Sequence, residues 1–302
     1  MIHPPFLKPN DKAVILSPAG NISSEYINKT IRILTDWDLQ VEVSENAICQ
    51  VGRFSGTIDQ RIVDLQKAID DPEVKLVFCS RGGYGVVHLL DKLDFTNLKK
   101  NPKWIVGYSD ITALHAALQL HNIMSIHGPM AEHFSIYGKD DVSVMQTRAI
   151  LFGEEVQYKF PIDQPHLNKE GVVSGTLFGG NLSVYSALTG SKYSKIPRDG
   201  ILLLEDIGEK PYKVDRMIYH LKIANVLKEI RGLVIGQFTD YEEDELMYNT
   251  LSESIFYAIK EYSFPVCFGF PSGHSNINVP LVLGAPTSLI IDRDFISLKQ
   301  HF

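Results

Sequence analysis

The feature that most limits how this chain can fold is an alternation in its first half, where short apolar, often β-branched runs take turns with stretches at helical spacing. Residues 13–16 read as a strand closed by the turn Ser17-Pro18-Ala19-Gly20, and residues 25–37 carry Ile27, Ile31, Leu34 and Trp37 on one helical face. Further strands are read at 41–43, 76–79, 104–106 and 124–126, with helical patterns at 59–69, 85–90 and 111–120. Parallel neighbours need a crossover, commonly a helix, so this rhythm predicts an α/β domain with a Rossmann-like or flavodoxin-like parallel sheet covered on both faces. Ligands of such sheets collect at the carboxyl ends of the strands.

The rhythm breaks at residues 161–171, which read Pro-Ile-Asp-Gln-Pro-His-Leu-Asn-Lys-Glu-Gly. A polar stretch with two prolines is a natural linker, and 302 residues exceed what one core usually serves. Two domains are therefore expected, 1–163 and 164–302. The second half mixes strands at 171–177, 201–204 and 232–238 with helices beginning at Asn181 and covering 211–221 and 251–262. The tail, 281–298, reads as a closing hairpin. This is a smaller, strand-rich α/β domain whose topology the pattern leaves open.

Composition narrows the function. Twenty-nine Lys and Arg against 36 Asp and Glu, with no basic run, argue against a nucleic-acid partner. Cys49, Cys79 and Cys267 cannot all pair and lie in or beside apolar runs, so they are read as small buried thiols of a reducing compartment. No charged leader followed by an apolar segment opens the chain, and no run of about 18 apolar residues occurs. The expectation is a cytoplasmic protein with no membrane partner.

Four places carry possible chemistry. Gly107-Tyr108-Ser109-Asp110 follows a strand and precedes a helix, which would expose the Ser109 hydroxyl on a sharp turn like a nucleophile elbow. The match is partial, since Ile111 stands where a second glycine is expected, and Ser109 or Asp110 could equally cap the helix. Arg81-Gly82-Gly83-Tyr84-Gly85 ends another strand, and its glycines would let backbone N–H groups approach an oxyanion or a phosphate. Neither this segment nor Gly179-Gly180-Asn181 continues as a P-loop, and the first strand leads into no dinucleotide fingerprint, so no cofactor is expected. Glu205 and Asp206 close an apolar strand, where a carboxylate either caps a helix or orients a histidine. His274 stands on the turn Pro271-Ser272-Gly273-His274. Serine, carboxylate and histidine in that chain order are one arrangement by which a triad is built. His115, His121, His127 and His133 match no zinc spacing and are read as packing or surface groups.

Taken together, these blocks resemble the LD-carboxypeptidases. The resemblance runs in order through Phe54-Ser55-Gly56-Thr57 with Arg61, Ser80-Arg81-Gly82-Gly83-Tyr84-Gly85, Gly107-Tyr108-Ser109-Asp110-Ile111-Thr112 and His127-Gly128-Pro129-Met130. It continues through Gly175 to Leu182, Leu204-Glu205-Asp206-Ile207-Gly208-Glu209 and Gly269-Phe270-Pro271-Ser272-Gly273-His274. It implies a serine peptidase with Ser109 as nucleophile, His274 as general base and Glu205 orienting it, and with the N–H groups of Gly83 and Asp110 as oxyanion hole. It further implies a two-domain homodimer with the nucleophile on the first domain and Glu205 and His274 on the second. Because Ser109 precedes the linker and the other two follow it, a cleft is expected, floored by Gly83, Ser109 and Asp110 with His274 and Glu205 on the opposing wall. Two departures stand out: His88, where many relatives have arginine, and Ser275-Asn276 after the histidine in place of a more acidic sequence.

The resemblance points first to release of terminal D-alanine from murein tetrapeptides during peptidoglycan recycling. The alternative in the family is a microcin C immunity-type hydrolase of an aspartyl-nucleotide amide, which would need an aromatic platform for its base. A non-catalytic small-molecule binding protein is the third reading. Arg81 is a candidate for holding a substrate carboxylate, with a structural salt bridge as its other role. Because no ligand set for a metal is present in the sequence, exhaustive treatment with EDTA should leave turnover unchanged in a continuous assay. Loss of activity that zinc restores would contradict the serine mechanism.

Overall fold

A computed structural model describes all residues, 1–302, and divides them into two compact units. The first comprises Met1–Glu155 with Val279–Val282, and the second Val156–Asn278 with Leu283–Phe302.

The alternation of the first unit becomes β1 (Lys12–Leu16), α1 (Ser24–Asp36), β2 (Gln40–Val43), α2 (Ile58–Asp70), β3 (Val74–Cys79), α3 (Thr96–Lys100) and β4 (Trp104–Gly107). Then follow α4 (Thr112–Leu120), β5 (Ser125–His127), α5 (Ala131–Tyr137) and α6 (Val142–Leu151). The strands lie side by side as β5-β4-β3-β1-β2, each neighbouring pair parallel. This is the flavodoxin-like order, and its direction reverses between β1 and β3, where such sheets form their ligand crevice. Strand β4 is buried along its whole length and β3 nearly so, as expected when helices cover both faces.

Two sequence expectations change. Residues 85–90 form no α-helix but two short 3₁₀ turns, Val86–His88, entered from Gly85 in the left-handed region at φ +118°, and Leu90–Lys92, entered from Leu89. The tail is a hairpin only from residue 286 onward. Its opening strand, Leu281–Leu283, extends the first sheet beside β5. A short apolar run carries no sign of which sheet it will join.

The second unit contains β6 (Gln157–Pro161), β7 (Gly171–Asn181), α7 (Leu182–Leu188), β8 (Gly200–Ile207), α8 (Pro211–Ile223), α9 (Val226–Glu229), β9 (Gly232–Thr239), α10 (Leu251–Ile259) and β10 (Val266–Cys267). After the strand Leu281–Leu283, here β11, the hairpin β12 (Pro286–Ile291) and β13 (Phe295–Gln300) completes it. The seven-stranded sheet runs β10-β9-β8-β7-β12-β13-β6. Its first four strands are parallel, and the rest pair antiparallel. Helices α8 and α10 pack on the parallel part, burying Val214, Ile218, Leu221 and Ile255 against Leu202, Leu204, Leu233 and Ile235.

Each unit also closes one helix with a lysine. Lys103, fully buried, donates from Nζ to the carbonyls of Ala68, Ile69 and Asp71 at 2.8, 2.9 and 2.6 Å, covering the last turn of α2. Lys169 does the same at the end of α10, donating to the carbonyls of Ile259, Lys260 and Tyr262 at 3.2, 2.8 and 2.6 Å. Carbonyls at a helix end lack intrahelical partners and sit at the negative pole of the dipole, so an ammonium satisfies both deficits. Lys103→Met should therefore lower unfolding free energy in urea by roughly 2–4 kcal/mol, since it strands buried carbonyls. An unchanged midpoint would show that the carbonyls find other partners.

Candidate functional site

In the first unit the chemistry-bearing loops meet at the switch point. The Ser17 and Ser80 hydroxyls hydrogen-bond to each other, and Gly20 N–H donates to the Gly82 carbonyl at 2.9 Å, tying the loop after β1 to the loop after β3. Arg61 is buried beneath them. Its Nη1 donates to the carbonyls of Pro18 and Gly85, both at 3.0 Å, and its guanidinium lies 4.9 Å from the Phe54 ring centroid. Burial works to lower the Arg61 pKa and the nearby Asp110 charge opposes it.

Ser109 follows β4 in a conformation that non-glycine residues avoid, with φ +63°. Such strain is the mark of a sharp strand-to-helix turn that presents its side chain. The missing second glycine is explained by Gly107: a Cβ there would stand 2.9 Å from Ile111 Cγ1, so the room lies before the serine and Ile111 fills it. Asp110 does not cap α4. Its carboxylate accepts the Val86 N–H at 2.9 Å, and α4 has no side-chain cap. Burial raises the Asp110 pKa, and the Val86 N–H, Arg61 and His88 act against that rise.

Gly82 lies directly against the turn. A Cβ on it would stand 2.7 Å from Ser109 Cβ, 3.0 Å from Ser109 Oγ and 3.2 Å from the Asp110 nitrogen. Gly83, at φ +104°, approaches Gly20 instead. Arg81 is exposed, and its Nη1 donates to the Asn21 carbonyl at 2.8 Å, a backbone acceptor in place of the salt bridge considered from sequence. His88 packs edge-on against Phe54 and Tyr84. Of the sequence-clustered histidines, His115 and His127 remain neighbours with ring centroids 6.4 Å apart, His115 bonding Gly107 and Ser125, whereas His121 stacks on Phe95 and His133 meets Asp141 at 3.0 Å. Burial pushes the Cys79 and Cys267 thiols up to about 12, which leaves them un-ionised at neutral pH.

The second unit brings Glu205 and His274 together. Glu205, with no exposed surface, accepts from His274 Nδ1 through Oε2 at 2.7 Å and from the His274 backbone N–H at 3.3 Å. The register of β8 against β9 shifts at this point, so that Gly236 and Gln237 both oppose Glu205, a bulge of the kind that re-aims side chains. Two glycines make the pair possible. A Cβ on Gly236 would stand 3.1 Å from Glu205 Cβ and 2.6 Å from the Ser272 carbonyl oxygen. One on Gly273, at φ +113°, would meet Glu205 Oε2 at 2.5 Å. The histidine turn is pinned by Asn278 Oδ1, which accepts the Gly273 N–H at 2.9 Å, and by Thr239 Oγ1, which donates to the His274 carbonyl at 2.8 Å. Burial works to lower the His274 pKa, but Glu205, with Asp206 and Asp240 adding to it, raises it above the usual imidazole value.

Asp206 has a separate task. It accepts from Asn181 Nδ2 at 2.8 Å, from the Ser183 N–H at 2.9 Å and from its neighbour Ile207, holding the start of α7. Burial pushes its pKa up to about 6, opposed by those donors and reinforced by Glu205. Ser109, Glu205 and His274 stand out in the sequence, whereas the space left by the glycines at 82, 236 and 273 and the tie that Arg61 makes between loops do not. Only the resemblance through Phe54 and Arg61 pointed to the last.

Models of two protein domains match the chain: the LD-carboxypeptidase N-terminal domain over residues 14–128 and the LD-carboxypeptidase C-terminal domain over residues 174–289. The murein tetrapeptide carboxypeptidase of Pseudomonas aeruginosa is 29% identical over 281 residues, covering 88% of this chain and 89% of its own. The crystal structure of muramoyltetrapeptide carboxypeptidase from Oxalobacter formigenes aligns with a TM-score of 0.87 at 29% identity, over 96% of this chain and 99% of its own. The microcin C7 self-immunity protein in complex with aspartyl sulfamoyl adenosine aligns at 0.85 over 98% of both chains, and at 20% identity it shares the fold.

The two glycines flanking the histidine turn give a controlled comparison. Gly269 has φ +75° with open space around its missing Cβ, whereas Gly273 is blocked by Glu205. Gly269→Ala should cost about 1–2 kcal/mol, the strain of a left-handed alanine alone. Gly273→Ala should cost more in the same urea titration, and equal costs would mean that the Glu205 carboxylate yields without penalty.

Proposed function

The chain belongs to the LD-carboxypeptidase family of serine-type hydrolases, and on that premise we propose that it cleaves the L,D-amide bond of murein tetrapeptides to release D-alanine, with Ser109 as nucleophile, His274 as general base and Glu205 as its orienting carboxylate. The observation that carries this reading is the 2.7 Å contact between His274 Nδ1 and a fully buried Glu205. A proton held on Nδ1 by a carboxylate makes Nε2 the basic nitrogen of the ring.

In this mechanism Ser109 Oγ attacks the carbonyl of the scissile amide while His274 Nε2 takes its proton. The oxygen of the tetrahedral intermediate becomes an anion, and the N–H groups of Gly83 and Asp110 are the donors assigned to it. Loss of one such donor typically raises the barrier by roughly 2.7–4 kcal/mol. The intermediate collapses as the imidazolium protonates the leaving amine of D-alanine. Water then hydrolyses the acyl-enzyme with the same base. Proton transfer requires Ser109 Oγ and His274 Nε2 within roughly 2.6–3.2 Å in the reactive complex. Exposed Arg81, adjoining Gly82, is the candidate to receive the terminal carboxylate.

The relatives named for murein or muramoyl tetrapeptides support the substrate assignment. A nucleotide amide would call for an aromatic platform, and both tryptophans, Trp37 and Trp104, are buried in the first unit. The setting this reading carries is a cytoplasmic homodimer.

Murein tetrapeptide incubated with the protein should yield D-alanine by mass spectrometry, and Ser109→Ala should fold yet lose at least about 10³-fold in kcat. Release of nucleotide from microcin C, with tetrapeptide untouched, would overturn the substrate. A base works only when unprotonated, and the raised His274 pKa keeps the ring protonated to higher pH. The acid limb of kcat/KM should therefore lie above pH 6.5. Glu205→Gln should move it downward and lower kcat by about 10²–10⁴-fold.

A further inference from the structure

Beneath the Ser109 turn lies a buried histidine for which the proposed triad has no use. His115, in the first turn of α4, is 2% exposed, and both ring nitrogens have a partner at 2.8 Å. Nε2 faces the Gly107 carbonyl and Nδ1 faces the Ser125 hydroxyl. A carbonyl only accepts, so Nε2 carries the proton, and Nδ1 must accept from Ser125. The partners thus fix the tautomer. Burial lowers the His115 pKa to about 3, the Gly107 bond opposing the drop and His127 adding to it, so the ring stays neutral at any working pH.

The position of Gly107 gives this bond its meaning. Gly107 ends β4 two residues before Ser109, and its carbonyl also accepts the Gly128 N–H at 3.2 Å. On the far side of the serine, Asp110 is held by the Val86 N–H at 2.9 Å. Only Tyr108 and Ser109 lie between the two anchors. A left-handed serine costs roughly 1–2 kcal/mol and persists where its surroundings over-determine it. An apolar side chain would fill the same volume without the cost of burying two polar nitrogens, so packing alone gives no reason for an imidazole here.

We propose that His115 is a positioning residue for Ser109, holding the Gly107 carbonyl through its Nε2–H so that the turn keeps the serine in its left-handed, presented conformation. This rests on the reading of Ser109 as nucleophile.

Two conservative variants separate the ring nitrogens. In His115→Gln the side-chain amide reaches the place of Nε2 and can still donate to Gly107, whereas the shorter amide of His115→Asn reaches only the place of Nδ1 and Ser125. We expect the Asn variant to lose about 10–100-fold in kcat and in the rate of Ser109 labelling by a fluorophosphonate, with KM within about twofold. The Gln variant should stay within about threefold on both measures. Crystal structures should show Ser109 out of the left-handed region in the Asn variant and within it in the Gln variant. Labelling of both at the wild-type rate, or slowing of both in proportion to a common drop in unfolding midpoint, would overturn the proposal. The Ser109 φ angle separates the two ideas: an unchanged φ in the Asn variant defeats the latch even if hydrolysis is normal. A wild-type Ser109 that never labels defeats the nucleophile reading, while loss of the left-handed φ in the Asn variant would still support the latch.

Discussion

A carboxylate with no exposed surface, at the end of an apolar strand, is held in place by one histidine. Glu205 has His274 as its partner at Oε2, through both the ring and the backbone N–H, and Oε1 has no hydrogen-bond partner at all. An unpaired buried carboxylate costs several kcal/mol, so this part of the second unit must bring the imidazole to it. The bulge in β9, the absent side chains of Gly236 and Gly273, and the bonds from Asn278 and Thr239 all serve that meeting. The buried carboxylate is thus the group that orients the His274 ring and raises its pKa.

The first unit solves a different problem, which is to keep a strained serine beside a glycine-rich loop. Four ties converge there: Ser17 to Ser80, Gly20 to Gly82, Arg61 to Pro18 and Gly85, and Asp110 to Val86. A guanidinium is well suited to the third because one of its NH₂ groups, Nη1, can donate to two carbonyls while the cation lies over the Phe54 ring. A loop tied this way needs little reorganisation when charge develops nearby, which is what makes fixed backbone donors effective.

The sequence made some of this legible and concealed the rest for physical reasons. The parallel sheet was readable because a crossover fold repeats its pattern of strand and helix, and Ser109 was readable because it sits where that pattern changes period. The histidine turn repeats nothing: residues 271–278 hold their shape through Asn278 within the segment and through Thr239 and Glu205, partners from distant positions. Glu205 and Asp206 are adjacent in sequence, yet one binds the histidine and the other holds α7, a division that depends on the bulge. Gly82, Gly236 and Gly273 act through the atom they lack, which leaves no local signature. The Leu281–Leu283 strand was legible as a strand, but its sheet was not.

Glu205 fixes the tautomer and raises the basicity of His274. Nitrogen-15 NMR of the His274 imidazole in the full-length Ser109→Ala protein tests it without any substrate. The expected result is a proton on Nδ1 at neutral pH, titration at Nε2 with a pKa above 6.5, and a fall in that pKa when Glu205→Gln is added. A ring protonated on Nε2 when neutral, or a pKa that Glu205→Gln leaves where it was, would contradict it.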